Sequence, residues 1–246
     1  MAMRIFRLTF AMMAISVAVG AAAKSTGGAI DGQARVSGDA VVTGLGNGAI
    51  EKDASRVVVW LVPLDTLQPV RATPARPHYR LVQRNKRFEP GLLVVPVGSV
   101  VDFPNADPWF HNVFSLYRGK RFDLGLYQAG AQRSVRFDRI GPSYLFCNIH
   151  PEMTGVVLAI DSDLFAITGK SGHYAIAGVT PGKYVLHVWY ENATPESLQA
   201  LQRQVTIESA NQILPLVSVK AVKPALAEHK NKYGQDYDPE TLKTDY

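Results

Sequence analysis

The residues best suited to chemistry lie in one short run, Phe-Cys-Asn-Ile-His-Pro-Glu-Met, which spans residues 146–153. Cys147, His150 and Met153 follow one another at intervals of three residues, so a thiolate, an imidazole and a thioether can converge on one metal ion. Soft sulfur ligands beside an imidazole suit copper in both of its oxidation states, whereas zinc more often takes further cysteines or histidines. The run therefore predicts a copper site.

A copper site with two histidines and one cysteine in its plane needs a second imidazole. His111 is the best candidate, because it begins a predicted strand 36 residues before Cys147 and adjacent strands of a sandwich can bring the two together. Asn112 is expected to hydrogen-bond the backbone of the cysteine loop and to brace the site. Trp109 and Phe110 are expected to shield one side of the metal from water.

Each candidate ligand also has an ordinary structural explanation. A cysteine alone is most often a small buried apolar side chain, and a strand histidine is usually a satisfied polar residue. The spacing of Cys147, His150 and Met153 favours the metal over these alternatives. The remaining histidines, expected at solvated, surface or sheet positions, are His78, His173, His187 and His229. A local basic cluster, interpreted as a solvated strand face rather than a site for an acidic redox partner, comprises Arg80, Arg84, Lys86 and Arg87.

The sequence around these residues predicts an all-β chain. Short runs rich in Val, Ile, Tyr and Phe alternate with turn residues, among them 20 glycines and 15 prolines, a pattern typical of two-sheet sandwiches. A long surface loop is expected over residues 63–77. The strands predicted in the first unit lie at residues 34–36, 56–62, 87–89, 92–95, 99–103, 111–115, 132–137, 143–148 and 155–160.

A second, smaller antiparallel sandwich is predicted over residues 161–220. Thr194 and Pro195 are placed to begin a short helix, with the threonine as N-cap and the proline at the first helical position. The tail, residues 221–246, is polar and interrupted by prolines, so it is expected to be flexible. The strands predicted in the second unit lie at residues 165–168, 173–176, 183–189 and 204–208.

The first 23 residues have the pattern of a secretory signal peptide. Arg4 and Arg7 precede an uncharged run over residues 8–19, and small residues suited to cleavage follow at 21–23. The apolar run is shorter than the roughly 20 residues of a membrane span, so we expect a soluble exported protein without a transmembrane span. Its formal charge is +3, from 26 basic residues less two arginines against 21 acidic ones, which does not indicate nucleic acid. Its single cysteine excludes an internal disulfide.

The motif His-Asn-Val at residues 111–113, followed by C-x-x-H-P-x-M, resembles the cupredoxin family, and amicyanin and the plastocyanins most closely. The resemblance covers roughly residues 29–160, within a predicted domain of residues 24–160. It implies a Greek-key β-sandwich, one type 1 copper ion, electron transfer and a periplasmic location. Matched position by position, it implies that His111, Cys147 and His150 are the equatorial ligands and that Met153 is the weak axial ligand. This chain has an extended region before His111 that small cupredoxins lack.

The second unit resembles the carboxypeptidase regulatory-like, transthyretin-type module. The resemblance is carried by Gly-His-Tyr-Ala-Ile-Ala-Gly-Val at residues 172–179 and by Pro-Gly-Lys-Tyr at residues 181–184. It implies a small β-sandwich of structural or binding use and brings no catalytic residues. A partner protein or a glycan is a candidate ligand for this unit.

The function predicted from these patterns is periplasmic single-electron transfer between redox partner proteins, without catalytic turnover. A multicopper oxidase needs many more histidines than the four left once two are assigned to the site. Two alternatives stay open. One is a copper delivery or storage protein, although Met-rich and His-rich runs are absent from the sequence. The other is a non-redox interaction module in which copper is structural.

Overall fold

The computed structural model describes residues 33–44, 49–65, 78–116, 119–208, 211–222 and 229–237. The predicted signal peptide and most of the loop predicted over residues 63–77 lie outside these ranges. Within them the all-β prediction is confirmed, because 18 strands accompany a single short helix.

In chain order the elements are β1 Ala34–Thr43, β2 Val58–Pro63, β3 His78–Arg80, β4 Val82–Arg84, β5 Arg87–Glu89, β6 Leu92–Pro96, β7 Ser99–Pro104, β8 His111–Ser115, β9 Phe122–Tyr127, β10 Gln132–Phe137, β11 Gly141–Phe146, β12 Thr154–Ile160, β13 Phe165–Ile167, β14 His173–Val179, β15 Gly182–Trp189, α1 Pro195–Ala200, β16 Arg203–Ile207, β17 Gln212–Ile213 and β18 Val217–Lys220.

The helix begins where the sequence predicts it. The Thr194 hydroxyl accepts a hydrogen bond from the Ser197 amide at 3.2 Å, and Pro195 occupies the first turn, where it needs no hydrogen-bond partner for its nitrogen. The helix is only six residues long. In the described part of the chain no helix has the length and apolar character needed to span a bilayer.

Two sheets and a hairpin position the predicted ligands. One sheet has the strand order β6-β12-β11-β8-β9, the other has the order β10-β7-β3, and β4 pairs with β5. Buried Val, Leu and Phe side chains between them form a core that also contains Cys147 and Met153. Because β11 runs antiparallel to β8, with Phe146 opposite Phe114, the chain that leaves β11 continues alongside β8 toward His111. This register brings Cys147 near His111.

The strand pairing differs from the domain division predicted at residues 160 and 161. β1 pairs with β14, β17 and β18, and β2 pairs with β13 and β15, so the first two strands share sheets with strands that follow residue 161. An alternating apolar pattern indicates that a segment is a strand but does not identify its partner. The two groups of sheets meet at an apolar cluster that includes Val58, Trp60 and Trp189 from one group and Val156 and Leu158 from the other.

Candidate metal centre

Three of the four predicted ligands converge on one point. His111 is the first residue of β8, Cys147 follows the last residue of β11, and His150 lies in the loop that leads to β12. The two Nδ1 atoms are 3.1 Å apart, and Cys147 Sγ lies 3.9 Å from the nitrogen of His111 and 3.6 Å from that of His150. Each pair of these atoms is within 4.8 Å, so together they could hold a metal ion.

These separations match a trigonal plane of ligands. With metal–nitrogen bonds of about 2.0 Å and a metal–sulfur bond of about 2.3 Å, as in zinc sites, such a plane separates the nitrogens by roughly 3.5 Å and each nitrogen from the sulfur by roughly 3.7 Å. The observed triangle departs from these values by a few tenths of an ångström. Two imidazoles and a thiolate in a trigonal arrangement form the ligand set of blue-copper sites. The donor set therefore fits copper.

Met153 is the last residue of the loop that begins at Cys147, and backbone hydrogen bonds connect the two ends. The Cys147 amide donates to the Met153 carbonyl at 3.2 Å, and the Met153 amide donates to the His150 carbonyl at 3.0 Å. The Met153 side chain is completely buried and belongs to the same core cluster as Cys147. We refer to residues 147–153 as the ligand loop. Its own hydrogen bonds hold the cysteine and the methionine at the ends of one tight turn.

Both histidines of the triangle are held in the neutral form that binds metal. Burial lowers the pKa of His150 to about 4, and repulsion by His111 and Lys86 acts in the same direction. Burial also lowers the pKa of His111, although the neighbouring carboxylate of Asp107 opposes the change. A neutral imidazole keeps one nitrogen lone pair available, so protons compete weakly with a metal at neutral pH.

The thiol has a different environment. Burial raises the pKa of Cys147, while hydrogen bonds from the backbone amides of Asn112, Ile149 and His150 oppose the change and stabilise the thiolate. Metal binding would therefore displace a proton from the sulfur. The prediction for the Asn112 side chain needs correction, because its Nδ2 donates to Asp123 Oδ1 at 2.7 Å rather than to the loop backbone. Its backbone amide makes the contact with the loop.

A buried carboxylate orients His111. Asp107 Oδ2 lies 2.8 Å from His111 Nε2 and accepts a hydrogen bond from the N–H of that nitrogen, which leaves Nδ1 turned toward Cys147. The same carboxylate accepts hydrogen bonds from the backbone amides of Asn85 and Lys86 at 2.6 and 2.9 Å. Sequence reasoning missed this residue, although an aspartate four positions before a candidate ligand was the available signal. Carboxylates in this position fix the tautomer and ring orientation of metal-binding histidines.

The aromatic residues before His111 are only partly placed as expected. Phe110 is 54% exposed, and Trp109 packs beneath the Lys86 ammonium at 5.1 Å from its ring centroid. Their role as a shield for the metal stays a prediction. His78 is solvated as expected and contacts Asp102 at 3.1 Å.

The other histidines lie apart from the triangle, and one departs from its expected environment. His187 stacks on Trp60, with a centroid separation of 5.0 Å, and His173 is an exposed partner of Asp39. His229 was expected to be exposed in a flexible tail. It is half-buried instead, and its Nε2 lies 2.6 Å from the Pro151 carbonyl oxygen.

Fold and site together define an all-β protein with a buried His-Cys-His group suited to a metal. No family model and no curated protein matches the chain. Among solved structures it is similar to a purple cupredoxin from Nitrosopumilus maritimus, at 24% identity over 33% of this chain and 99% of that chain, with a TM-score of 0.31. A mutant amicyanin in its reduced state is 23% identical over 34% of this chain and 82% of that chain, with a TM-score of 0.32. The copper-containing nitrite reductase of Thermus scotoductus SA-01 is 26% identical, with a TM-score of 0.34, over 41% of this chain and only 28% of that chain.

Proposed function

We propose that this protein is a type 1 copper protein of the cupredoxin class that transfers single electrons between partner proteins. The observation that carries the proposal is the buried triangle formed by His111 Nδ1, His150 Nδ1 and Cys147 Sγ. In this proposal these three residues would hold the ion, and Met153 would be its fourth, weaker ligand. One bound copper ion would supply the redox chemistry by alternating between its two oxidation states.

The surrounding residues prepare the site before any metal arrives. Asp107 fixes the ring of His111, the backbone amides of the ligand loop face the sulfur, and all three planar ligands are at most 9% exposed. A site that needs little rearrangement suits electron transfer, because changes of geometry between oxidation states add to the barrier. A carrier needs no group that transforms a substrate, and we propose that this protein is not an enzyme.

Retention of copper distinguishes an electron carrier from a copper delivery protein. We expect ascorbate to bleach the copper-loaded protein without releasing the metal, and reoxidation to restore the colour over repeated cycles. The measurement is copper content after reduction and gel filtration in a modest excess of a competing Cu(I) chelator. Loss of most of the copper in that step would refute the carrier function and favour delivery.

Export to the periplasm is the proposed location of this activity. Cleavage is expected after Ala23, because small residues precede that position and basic residues precede the apolar run. The intact mass of protein recovered from a periplasmic extract should therefore correspond to a chain that begins at Lys24. A mature species that retains residues 1–23 as an anchor would contradict the proposed soluble location.

The sheets that join β1 and β2 to the strands after residue 161 are proposed to be the carboxypeptidase regulatory-like module. This module is proposed to have a structural role or a role in binding a partner or glycan. Its buried core joins Val36 and Val42 of β1 with Ile176 of β14 and Val217 of β18. Its sheets therefore include β1, so a fragment made to test this unit alone must contain residues 33–63 as well as residues 161–222.

A further inference from the structure

The C-terminal strap, residues 229–237, lies directly against the ligand loop. The Tyr237 hydroxyl donates to the carbonyl oxygen of Cys147 at 3.0 Å. His229 Nε2 lies 2.6 Å from the carbonyl oxygen of Pro151, and since a carbonyl can only accept, the imidazole nitrogen donates this bond. Both contacts are made to backbone carbonyls of the loop that carries the cysteine and the second histidine.

Ring packing connects these two hydrogen bonds. The His229 ring lies against Phe146, with a centroid separation of 4.3 Å and an interplanar angle of 35°. Tyr237 meets the same imidazole edge-on, with a centroid separation of 5.3 Å, and its hydroxyl oxygen is 3.2 Å from His229 Nδ1. The two strap residues therefore form one packed unit on the residue that precedes the cysteine. Such a unit restricts the loop more than either hydrogen bond alone.

The strap is also linked, through Asp123 of β9, to the strand that carries the first histidine. The Lys232 amide donates to the side-chain oxygen of Asn148 in the loop at 3.0 Å, and its ammonium pairs with Asp123 at 2.9 Å. Asp123 in turn accepts a hydrogen bond from Asn112, the residue after His111. The strap is thus connected to both segments that supply the planar ligands.

We propose that the C-terminal strap positions the ligand loop from outside the core, with His229 and Tyr237 as positioning residues for the metal site. The expected effect on the metal rests on the proposed copper function. A loop held in one geometry should release copper more slowly and should fix the visible spectrum of the site. The contacts between the strap and the ligand loop are made by protein groups only and do not require the metal. They can be tested in the presence or absence of copper.

The test uses the full-length double variant His229→Phe/Tyr237→Phe. Phenylalanine keeps an aromatic ring at each position but removes both donors to the loop carbonyls. We expect amides of the ligand loop in the metal-free protein to exchange with deuterium roughly tenfold faster than in the wild type. In the copper-loaded variant we expect loss of Cu(II) to excess EDTA to be about tenfold faster. The visible absorption maximum should also shift.

Gln235→Ala is the control, because Gln235 lies exposed in the same strap and the hydrogen bonds described for it are made by its backbone. It should leave loop exchange, copper loss and the absorption maximum at their wild-type values. Unchanged loop exchange in the double variant would overturn the proposal. If the wild type binds no copper, the copper function fails, and the exchange experiment still decides whether the strap holds the loop. Faster exchange without any change in copper loss or spectrum would show that the strap does not position the site.

Discussion

Cys147→Ser is expected to abolish the blue colour of the copper-loaded protein. The intense visible absorption of a type 1 site arises from charge transfer between a thiolate and Cu(II), and an oxygen ligand cannot supply it. Cys147 is the sole cysteine of the chain, so no other residue can supply a thiolate. The measurement is the visible spectrum after Cu(II) loading, with spin resonance to define the geometry of any copper that still binds.

The substitution should leave the fold intact. Serine is close to cysteine in size, and the backbone amides that face the sulfur can donate to its hydroxyl oxygen. Met153→Leu provides the comparison, because it removes the proposed axial ligand but keeps all three planar ones. This variant should remain coloured and show a higher reduction potential. A wild-type protein that binds copper but stays colourless, with the spin-resonance parameters of a tetragonal site, would contradict the type 1 assignment.

The candidate ligands could be named from sequence because metal chemistry restricts both residue type and spacing. Cysteine, histidine and methionine within seven consecutive residues have few other joint explanations. His111 is harder to assign from the sequence, because it lies 36 residues before Cys147. The antiparallel pairing of β8 and β11 brings it next to the ligand loop. The structure brings His111, Cys147 and His150 together, while metal binding itself remains the proposal.

The supporting residues could not be named in the same way. The spacing of Asp107, four residues before His111, is a local signal, but aspartates are common in turns before strands, so the spacing alone does not assign Asp107 a role. The strap is polar and lies within the segment, residues 221–246, that the sequence predicts to be a flexible tail. Its contacts depend on tertiary structure that a local pattern does not contain. The pairing of β1 with β18 is similar, because it joins Ala40 to Val217 across most of the chain.

Asp107→Asn should raise the reduction potential and lower stability together. In the wild type one buried carboxylate accepts from the His111 ring and from the backbone amides of Asn85 and Lys86. Burial acts to raise the pKa of Asp107, but the amide of Lys86 and the His111 ring outweigh it and bring the pKa below its ordinary value. The group is therefore an anion at neutral pH. An amide in its place has a single acceptor oxygen for three donors.

The loss of negative charge beside a ligand should favour the reduced ion, which carries one positive charge fewer. A potential increase of about 60 mV, equivalent to about 1.4 kcal/mol for one electron, is the expected scale. The unsatisfied donors should lower the free energy of unfolding by about 1–3 kcal/mol. Both effects have the same cause, but they are measured separately, by redox titration of the copper protein and by urea unfolding of the metal-free protein.

Asp102→Asn is the matched control, because Asp102 is also a buried carboxylate that contacts a histidine. Its partners are Ser134 and the solvated His78, neither of which belongs to the triangle. We expect this control to lose stability without a shift in potential. If Asp107→Asn loses stability but keeps the wild-type potential, Asp107 does not tune the metal. Its role is then limited to the hydrogen bonds that it accepts from the backbone amides of Asn85 and Lys86. A shift confined to Asp107→Asn would instead establish that this carboxylate tunes the metal through the ring of His111.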